Sequence, residues 1–426
     1  MVCGGHVAQL LKTEFEGRVG PILSLSLWTA TLSVLTLGFY RFWMKTRLRR
    51  HFWSAVRPDG TPLEYVGKGI EKFTGFLIAL VMLALLIGVL ALGLVYASYA
   101  VFQDEVEAYL VAAVIALPLI YFASYRAKRY VYARTRWRGI RFGLEPAAGK
   151  YAMVAMGHLF LSLITLGFLW PRMTFKLEKF RTDRTFFGDQ RMHQGGKWTG
   201  LAKSFLPTLM CLWLGLGMVS YAVAQSFAVG EKDNGFDAGG ELFGLLAFVP
   251  LLILIALFFY LRYRIVALRY LANHKTAGGV GLISRLSFPR VLGINIGGYL
   301  LTNICTGLAM LVVGAAASGL LILFYPGLAD FGVFASGAVS EGTAGDGEGL
   351  PSAGLTVAFA LFLYMATLLF FSVFRQTFVL FPTWRHYART LSLTGGEHLA
   401  QIQQRDRDHA GQAEGMAEAF DLGAAI

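Results

Sequence analysis

Charge is scarce in this chain, and the scarcity is uneven. Asp, Glu, Lys and Arg make up 15% of its 426 residues, where a soluble domain carries roughly 25%. Residues 73–102 contain none of these and no His; the runs 108–125, 204–229, 242–261, 291–325 and 354–374 are equally free of charge. About 20 apolar residues cross the hydrocarbon of a bilayer. Backbone groups find no water there, so such runs must be helical. That excludes a soluble globular protein. Cysteine is also scarce. Cys3, Cys211 and Cys305 are far apart, which leaves neither a disulfide framework nor a metal-ligand spacing. Cys211 and Cys305 fall in apolar runs and read as small packed side chains.

The chemistry of catalysis is missing too. There is no phosphate-binding glycine loop, no serine elbow and no His/Cys metal pattern. No catalytic residue, metal or cofactor is therefore expected. The acidic residue that marks a proton or sodium relay in mid-membrane is absent from every apolar run. Asp183, Asp189 and His193 lie in one loop, but Arg181, Arg184 and Arg191 flank them, so surface ion pairing is the expected role. The first twenty residues lack the basic start, apolar stretch and cleavage site of a signal peptide. The first hydrophobic helix is then expected to act as an uncleaved insertion signal.

Positive charge is what the chain does have. The formal net charge is +12, and thirty of the 38 Lys and Arg residues fall in 41–72, 126–150, 172–203 and 262–290. Cations gathered between apolar runs report orientation and contact with anionic headgroups rather than nucleic acid. The other linkers, 103–107, 230–241 and 326–353, are acidic. They read as non-cytoplasmic tips of helical hairpins, the last one a solvated Gly-rich linker.

Two apolar segments break this alternation. Residues 21–44 and 151–175 are long enough to cross, yet basic segments flank 151–175 on both sides. Each carries a break, at Gly38 in Leu37-Gly38-Phe39-Tyr40 and at Gly167 and Pro171 in Leu166-Gly167-Phe168-Leu169-Trp170-Pro171. The preferred reading is that both dip in and return, or lie shallow; an ordinary span with one violation of the charge rule is the alternative. The helix count therefore stays between six and eight.

The same segments carry an internal repeat. Residues 32–39 (LSVLTLGF) match 161–168 (LSLITLGF) at six of eight positions. An aromatic stands nine residues before a glycine in Tyr130/Gly139, Tyr270/Gly279 and Tyr387/Gly396. His51/Gly60 keeps that spacing, and Phe180 leads more loosely to Gly188-Asp189. Pro58-Asp59-Gly60 followed by Thr61–Tyr65 reads as a turn into an extended segment, and such turns could pair into a small cytoplasmic sheet.

The fold class expected is an all-α polytopic membrane protein. It has six to eight transmembrane or re-entrant helices in internal repeats, with basic cytoplasmic turns able to form short β-hairpins. The divisions are a cytoplasmic segment 1–19, membrane repeats at 20–145 and 146–284, a divergent repeat at 285–396, and a cytoplasmic tail 397–426. The tail, with a modest apolar stripe of Met416, Phe420 and Leu422, either docks or is mobile.

Three strings, 36–69 (TLGFYRFWMKTRLRRHFWSAVRPDGTPLEYVGKG), 129–145 (RYVYARTRWRGIRFGLE) and 170–198 (WPRMTFKLEKFRTDRTFFGDQRMHQGGKW), resemble the YjgN family, as does the ending at 415–426. That family consists of bacterial inner-membrane proteins defined by a domain of unknown function, and the likeness covers most of 20–426. This chain departs from it in the third repeat, where a hairpin with the acidic loop 326–353 intervenes. The resemblance implies an inner-membrane address and brings no activity and no catalytic residue.

The candidate sites are basic and aromatic. Arg47, Arg49, Arg50, Trp53, Arg134, Arg136, Trp137, Arg138, Lys176 and Arg184 could contact anionic headgroups or an anionic ligand. Interfacial anchoring is the plainer reading. Within the apolar segments, His158, Asn295 and Asn303 are the polar candidates. Backbone bonding is the plainer role for the His, and bonding between helices for the two Asn. The partners expected are membrane lipids with anionic headgroups, with a second copy or another protein left open. Two functions follow: a transport or channel-like role for a small or amphipathic anionic solute, or a non-catalytic scaffold or envelope factor that binds anionic lipid or protein. A lipid-modifying enzyme is a distant third.

Overall fold

The computed structural model describes residues 10–77, 80–81, 84–85, 88, 92, 105–229, 247–324 and 353–405. The expected loops at 230–241 and 326–353, most of the 73–102 run and the end of the tail lie outside them.

Four helices are long and apolar enough to cross a membrane: Thr199–Gln225, Val249–Asn273, Phe288–Leu320 and Val357–Arg389. In each, only 6–22% of the most apolar stretch is buried within the chain. Met210, Leu214, Ile253, Leu254, Leu311 and Val312 stand exposed along them. So much outward apolar surface is stable only against lipid.

The part of the fold not expected at this size is a ten-stranded antiparallel sheet. Its strands are β1 (Leu11–Phe15), β2 (Val56–Pro58), β3 (Leu63–Tyr65), β4 (Thr135–Trp137), β5 (Ile140–Leu144), β6 (Thr185–Phe187), β7 (Gln190–Gln194), β8 (Lys275–Ala277), β9 (Val280–Ser284) and β10 (Leu391–Thr394). Their order is β2-β1-β10-β9-β8-β7-β6-β5-β4-β3. The end strands β2 and β3 are consecutive in the chain and touch, so the sheet returns on itself as a ring. No ladder pairing joins β2 to β3 among the described residues. The tight turns require left-handed backbone, which Asp59-Gly60, Arg138-Gly139 and Gly278-Gly279 supply with positive φ at both positions. For His51/Gly60, Tyr130/Gly139 and Tyr270/Gly279 the spacing thus measures the distance from a helix's last turns to a tight turn, whereas Gly396 lies in the helical turn after β10.

The ring is filled by side chains. Leu11, Trp137, Phe187, Val280 and Leu393 pack inside it, with Leu63, Ile140, Phe142 and Leu282 against them. Leu399 and Ile402 join this core from the segment after β10. The backbone N–H of Asp189 donates to the Gln403 carbonyl at 2.9 Å and that of Gln403 to the Asp189 carboxylate at 3.1 Å, while the Arg141 N–H donates to Gln404 Oε1 at 2.9 Å. The beginning of the tail is therefore docked on the ring.

Helices α1 (Val19–Leu35) and α2 (Arg41–Ala55) form one short hairpin; α4 (Ala148–Ile164) and α5 (Trp170–Thr182) form another. The strands at their feet are paired, Phe15 opposite Val56 and Leu144 opposite Thr185. Each apolar segment thus begins and ends at neighbouring strands of the sheet. Pro171 does not break a helix but opens α5 in its first turn, where a missing N–H costs nothing. Further helices are α3 (Glu105–Ala133), α6 (Thr199–Val229), α7 (Val249–Asn273), α8 (Phe288–Phe324), α9 (Ala353–Arg375) and α10 (Phe381–Arg389).

The chain forms two compact units. The first, Met1–Glu16 with Trp53–Pro289 and His386–Ile426, holds the whole sheet. Its helices pack through Phe175, Leu201, Phe205, Leu209, Tyr263, Ala267 and Leu271, and through Tyr125, Tyr151, Ala155, Met173 and Leu177. The second unit is Gly17–Phe52 with Arg290–Arg385. There α1 packs on α9, burying small residues such as Ser26, Thr29 and Ala30, and Phe52 stacks on Trp384 at 5.6 Å.

Candidate functional site at the second helical hairpin

The two hairpin tips are built alike from Ser-x-x-Thr-Leu-Gly. The Gly38 N–H reaches back to the Ser33 carbonyl at 2.6 Å, and the Gly167 N–H to that of Ser162 at 2.7 Å. Such bonds close the end of a helix with left-handed residues. Here both the leucine and the glycine are left-handed: φ is +50° and +90° at Leu37 and Gly38, and +47° and +87° at Leu166 and Gly167. The hydroxyls of Thr36 and Thr165 then accept the N–H groups of Tyr40 at 2.9 Å and Leu169 at 3.3 Å, starting the return helix. Leucine is strained in this conformation, yet Leu37 and Leu166 are 82% and 60% exposed. An exposed apolar residue at a strained tip fits a lipid environment.

The second tip is held against a helix long and apolar enough to cross a membrane. The Trp213 indole donates to the Leu166 carbonyl at 2.9 Å, and Gly167 lies against Leu209. Trp213 is ten residues beyond Lys203, the last cation of α6. At 1.5 Å per residue that is about 15 Å, half the roughly 30 Å hydrocarbon thickness. The bond satisfies one carbonyl of the tip, while Leu166 and Trp213 themselves stay exposed. Nothing in the spacing of Leu166 and Trp213 signals this bond in the sequence.

Along α5, from tip to ring, come Arg172, Lys176, Lys179 and Arg181. Lys176 is exposed, and Arg172 and Lys176 lie close enough to half-buried His158 on α4 to act on it electrostatically. Further down, Glu178 binds the Arg181 guanidinium through Oε2 and the Lys275 ammonium through Oε1 at 2.5 Å. These side chains are only about one-fifth exposed. Burial alone would raise the Glu178 carboxyl, but Arg181, Lys275 and Lys128 outweigh it and hold the group well below the carboxylate range. Lys275 is raised because Glu178 and Tyr132 outweigh its burial. Lys128, at the end of α3, forms no hydrogen bond or ion pair among the described residues. Burial and then Arg181 push its ammonium down to about 8, with Glu178 offsetting in part. Sequence reasoning missed this group because it is drawn from three elements, around residues 128, 178–181 and 275, that lie far apart in the chain.

The basic and aromatic residues singled out from sequence are spread over several environments. Arg134 pairs with Glu71 at 3.0 Å, and Glu71 also accepts the Tyr130 hydroxyl at 3.0 Å. Arg138 forms an ion pair with Asp59 and lies over Trp137. Arg184 stacks 3.7 Å from the centre of the Phe180 ring. Arg136 stands opposite Glu64 across β3 and β4. The Trp53 indole donates to the Thr135 hydroxyl at 3.1 Å, and Trp137 is buried in the ring core. On α2, Arg47 and Arg50 are exposed, Arg49 is half-buried, and Arg47 lies over Tyr40. Asp183 binds Lys179 at 3.1 Å and lies 3.6 Å from His193, an ion-paired surface group. Asn295 and Asn303 both donate to their own helix, to Val291 and Tyr299 at 2.8 Å. The bonds between helices expected of them are not made among the described residues.

The structure thus defines a helical membrane protein whose chain also builds a ten-stranded antiparallel sheet. The family model for a bacterial protein of unknown function, DUF898, matches residues 11–419, and the chain belongs to that family. No curated protein and no solved structure matches it.

Proposed function

We propose that this chain binds an anionic amphiphile at the cytoplasmic leaflet of a bacterial inner membrane and carries its headgroup along the second hairpin toward the membrane midplane. One observation carries the reading: the Leu166–Gly167 tip is fixed to Trp213 about halfway along a spanning helix, with Arg172 and Lys176 strung between tip and ring. Cations inside a membrane are costly, and where they persist they mark a path for charge. The basic segments at the ring support a cytoplasmic ring by the positive-inside rule. Two helix pairs, α6 with α7 and α8 with α9, and the two short hairpins begin and end at strands of the ring, which supports the repeat reading; with the apolar runs 73–102 and 108–125 added from the sequence, the proposed count is six spans with two re-entrant hairpins. On this reading the C-terminus is cytoplasmic.

A scaffold is the second reading, favoured by the packed interior of the ring. The test is lipid movement in proteoliposomes containing the full chain. Fluorescent phosphatidylglycerol in the inner leaflet is expected to become accessible to an outside quencher, and faster than fluorescent phosphatidylcholine. Arg172→Gln/Lys176→Gln should slow it at least tenfold while reconstituting normally. No movement above protein-free vesicles would refute transport and leave the scaffold.

A further inference from the structure

We propose that Lys128, Arg181 and Lys275, gathered around the one carboxylate of Glu178, form a binding site for a phosphoryl group, borne by a lipid headgroup or free in solution. This deepens the function proposed above by naming the chemistry of the bound headgroup, and its test needs no lipid movement.

The argument begins with charge. Three cations meet one anion, leaving an excess of two positive charges in a partly buried place. An excess of buried like charge is unfavourable unless a counter-charge completes it. The neighbouring carboxylates are committed elsewhere: Asp183 to Lys179, Glu145 to Arg191, and Glu71 to Arg134. Among the described residues the protein therefore supplies no further anion to the group.

Geometry adds a second, independent indication. Glu178 takes one end of the Arg181 guanidinium, while its Nε is buried without a hydrogen-bond partner. A buried donor left unmade costs more than a made bond returns, so such an atom points to a missing acceptor. The guanidinium also lies 5.8 Å from the Tyr151 ring centre, which holds its plane. Lys128 adds a second charged donor with no partner. An Arg fork and two Lys ammonium groups suit an oxygen-rich anion of phosphate geometry. The three cations come from the end of α3, from α5 and from the first residue of β8, so the site exists only in the folded chain. It also lies on α5 beyond Lys176, where a headgroup would enter the hairpin.

The experiment compares the wild-type full chain with Lys128→Gln. Lys128 has no ion pair to lose, so the variant should fold; Arg181→Lys, which keeps the charge but loses the fork, serves as the second variant. Thermal unfolding is followed in a phosphate-free maltoside detergent at constant ionic strength, with inorganic phosphate in one arm and added phosphatidylglycerol in the other. The expected result is a rise in Tm for the wild type, and an apparent affinity at least tenfold weaker in both variants. A response to inorganic phosphate in detergent identifies a free phosphoryl ligand; a response to phosphatidylglycerol alone identifies the headgroup. Equal gains in wild type and variants, or no gain in either arm, would overturn the proposal. If binding holds while lipid movement in proteoliposomes fails, only the transport reading falls.

Discussion

Gly188 and Gly139 occupy equivalent hairpin tips of the ring, yet alanine at the two should have different consequences. Both are left-handed, with φ of +59° and +78°, so alanine costs about 1–2 kcal/mol at either through the backbone alone. At Gly139 a Cβ meets nothing within 4 Å. At Gly188 it would stand 2.3 Å from the Gln403 carbonyl oxygen and 2.9 Å from the Ile402 side chain, and the docked tail must move. The tail is held there by the Asp189–Gln403 pair of hydrogen bonds, about 1 kcal/mol for the neutral bond and about 2 for the charged one. Burial of Ile402 adds about 2 kcal/mol. Loss of a third of that total, about 1.5 kcal/mol, raises the open population roughly tenfold. Trypsin reads this at Arg405, since cleavage of a transiently open segment follows its population. Gly188→Ala should accelerate cleavage there at least tenfold, and Gly139→Ala should leave it near the wild-type rate. Equal rates for the two variants, fast or slow, would refute the claim that the tail is seated on the Gly188 tip.

Trp137→Ala empties the centre of the ring core and should cost about 3–5 kcal/mol, seen as a large drop in Tm in detergent; a change under 1 kcal/mol would mean the ring is not a packed core. Lys128 faces Glu178 and Arg181 on α5 and Lys275 on β8, and its ammonium, ordinarily at 10.5, is pushed to about 8. The folded state therefore releases this proton before the unfolded state does. Without added anion, stability should rise as pH climbs from about 8 toward 10.5, by at most about 3 kcal/mol. Lys128→Met should remove that rise and stabilise the protein at pH 7; an unchanged Tm profile would contradict the assigned environment. Asn303→Leu removes only a bond to its own helix and should change stability by under about 0.5 kcal/mol; a large loss of Tm or of lipid movement would restore a path through α8.

What the sequence reveals and conceals follows from the range of the interactions. The Ser-x-x-Thr-Leu-Gly breaks are local, made by bonds within six residues, and they are readable at Leu37-Gly38 and Leu166-Gly167 alike. The hairpin tips are equally local, which is why one aromatic-to-glycine spacing finds Gly60, Gly139 and Gly279. The ring is not local. Strands of three residues such as Thr185–Phe187 are too short to show alternation, and β1 finds its partner β10 across almost the whole chain. The same distance hides the Glu178 group, whose cations read from sequence as ordinary members of basic turns.

The pairing of Leu11 with Leu393 also sets an order of events during synthesis. The ring cannot close until β10 has left the ribosome, roughly 20–80 s after β1 at ordinary elongation rates. Throughout that interval β1, and β9 once it is made, present open edges, the kind that invites pairing with other chains, while the helices between them are already entering the membrane. Closure is then the last step of maturation. A chain arrested before residue 391 should be inserted, intact along its helices, and still a target for quality control.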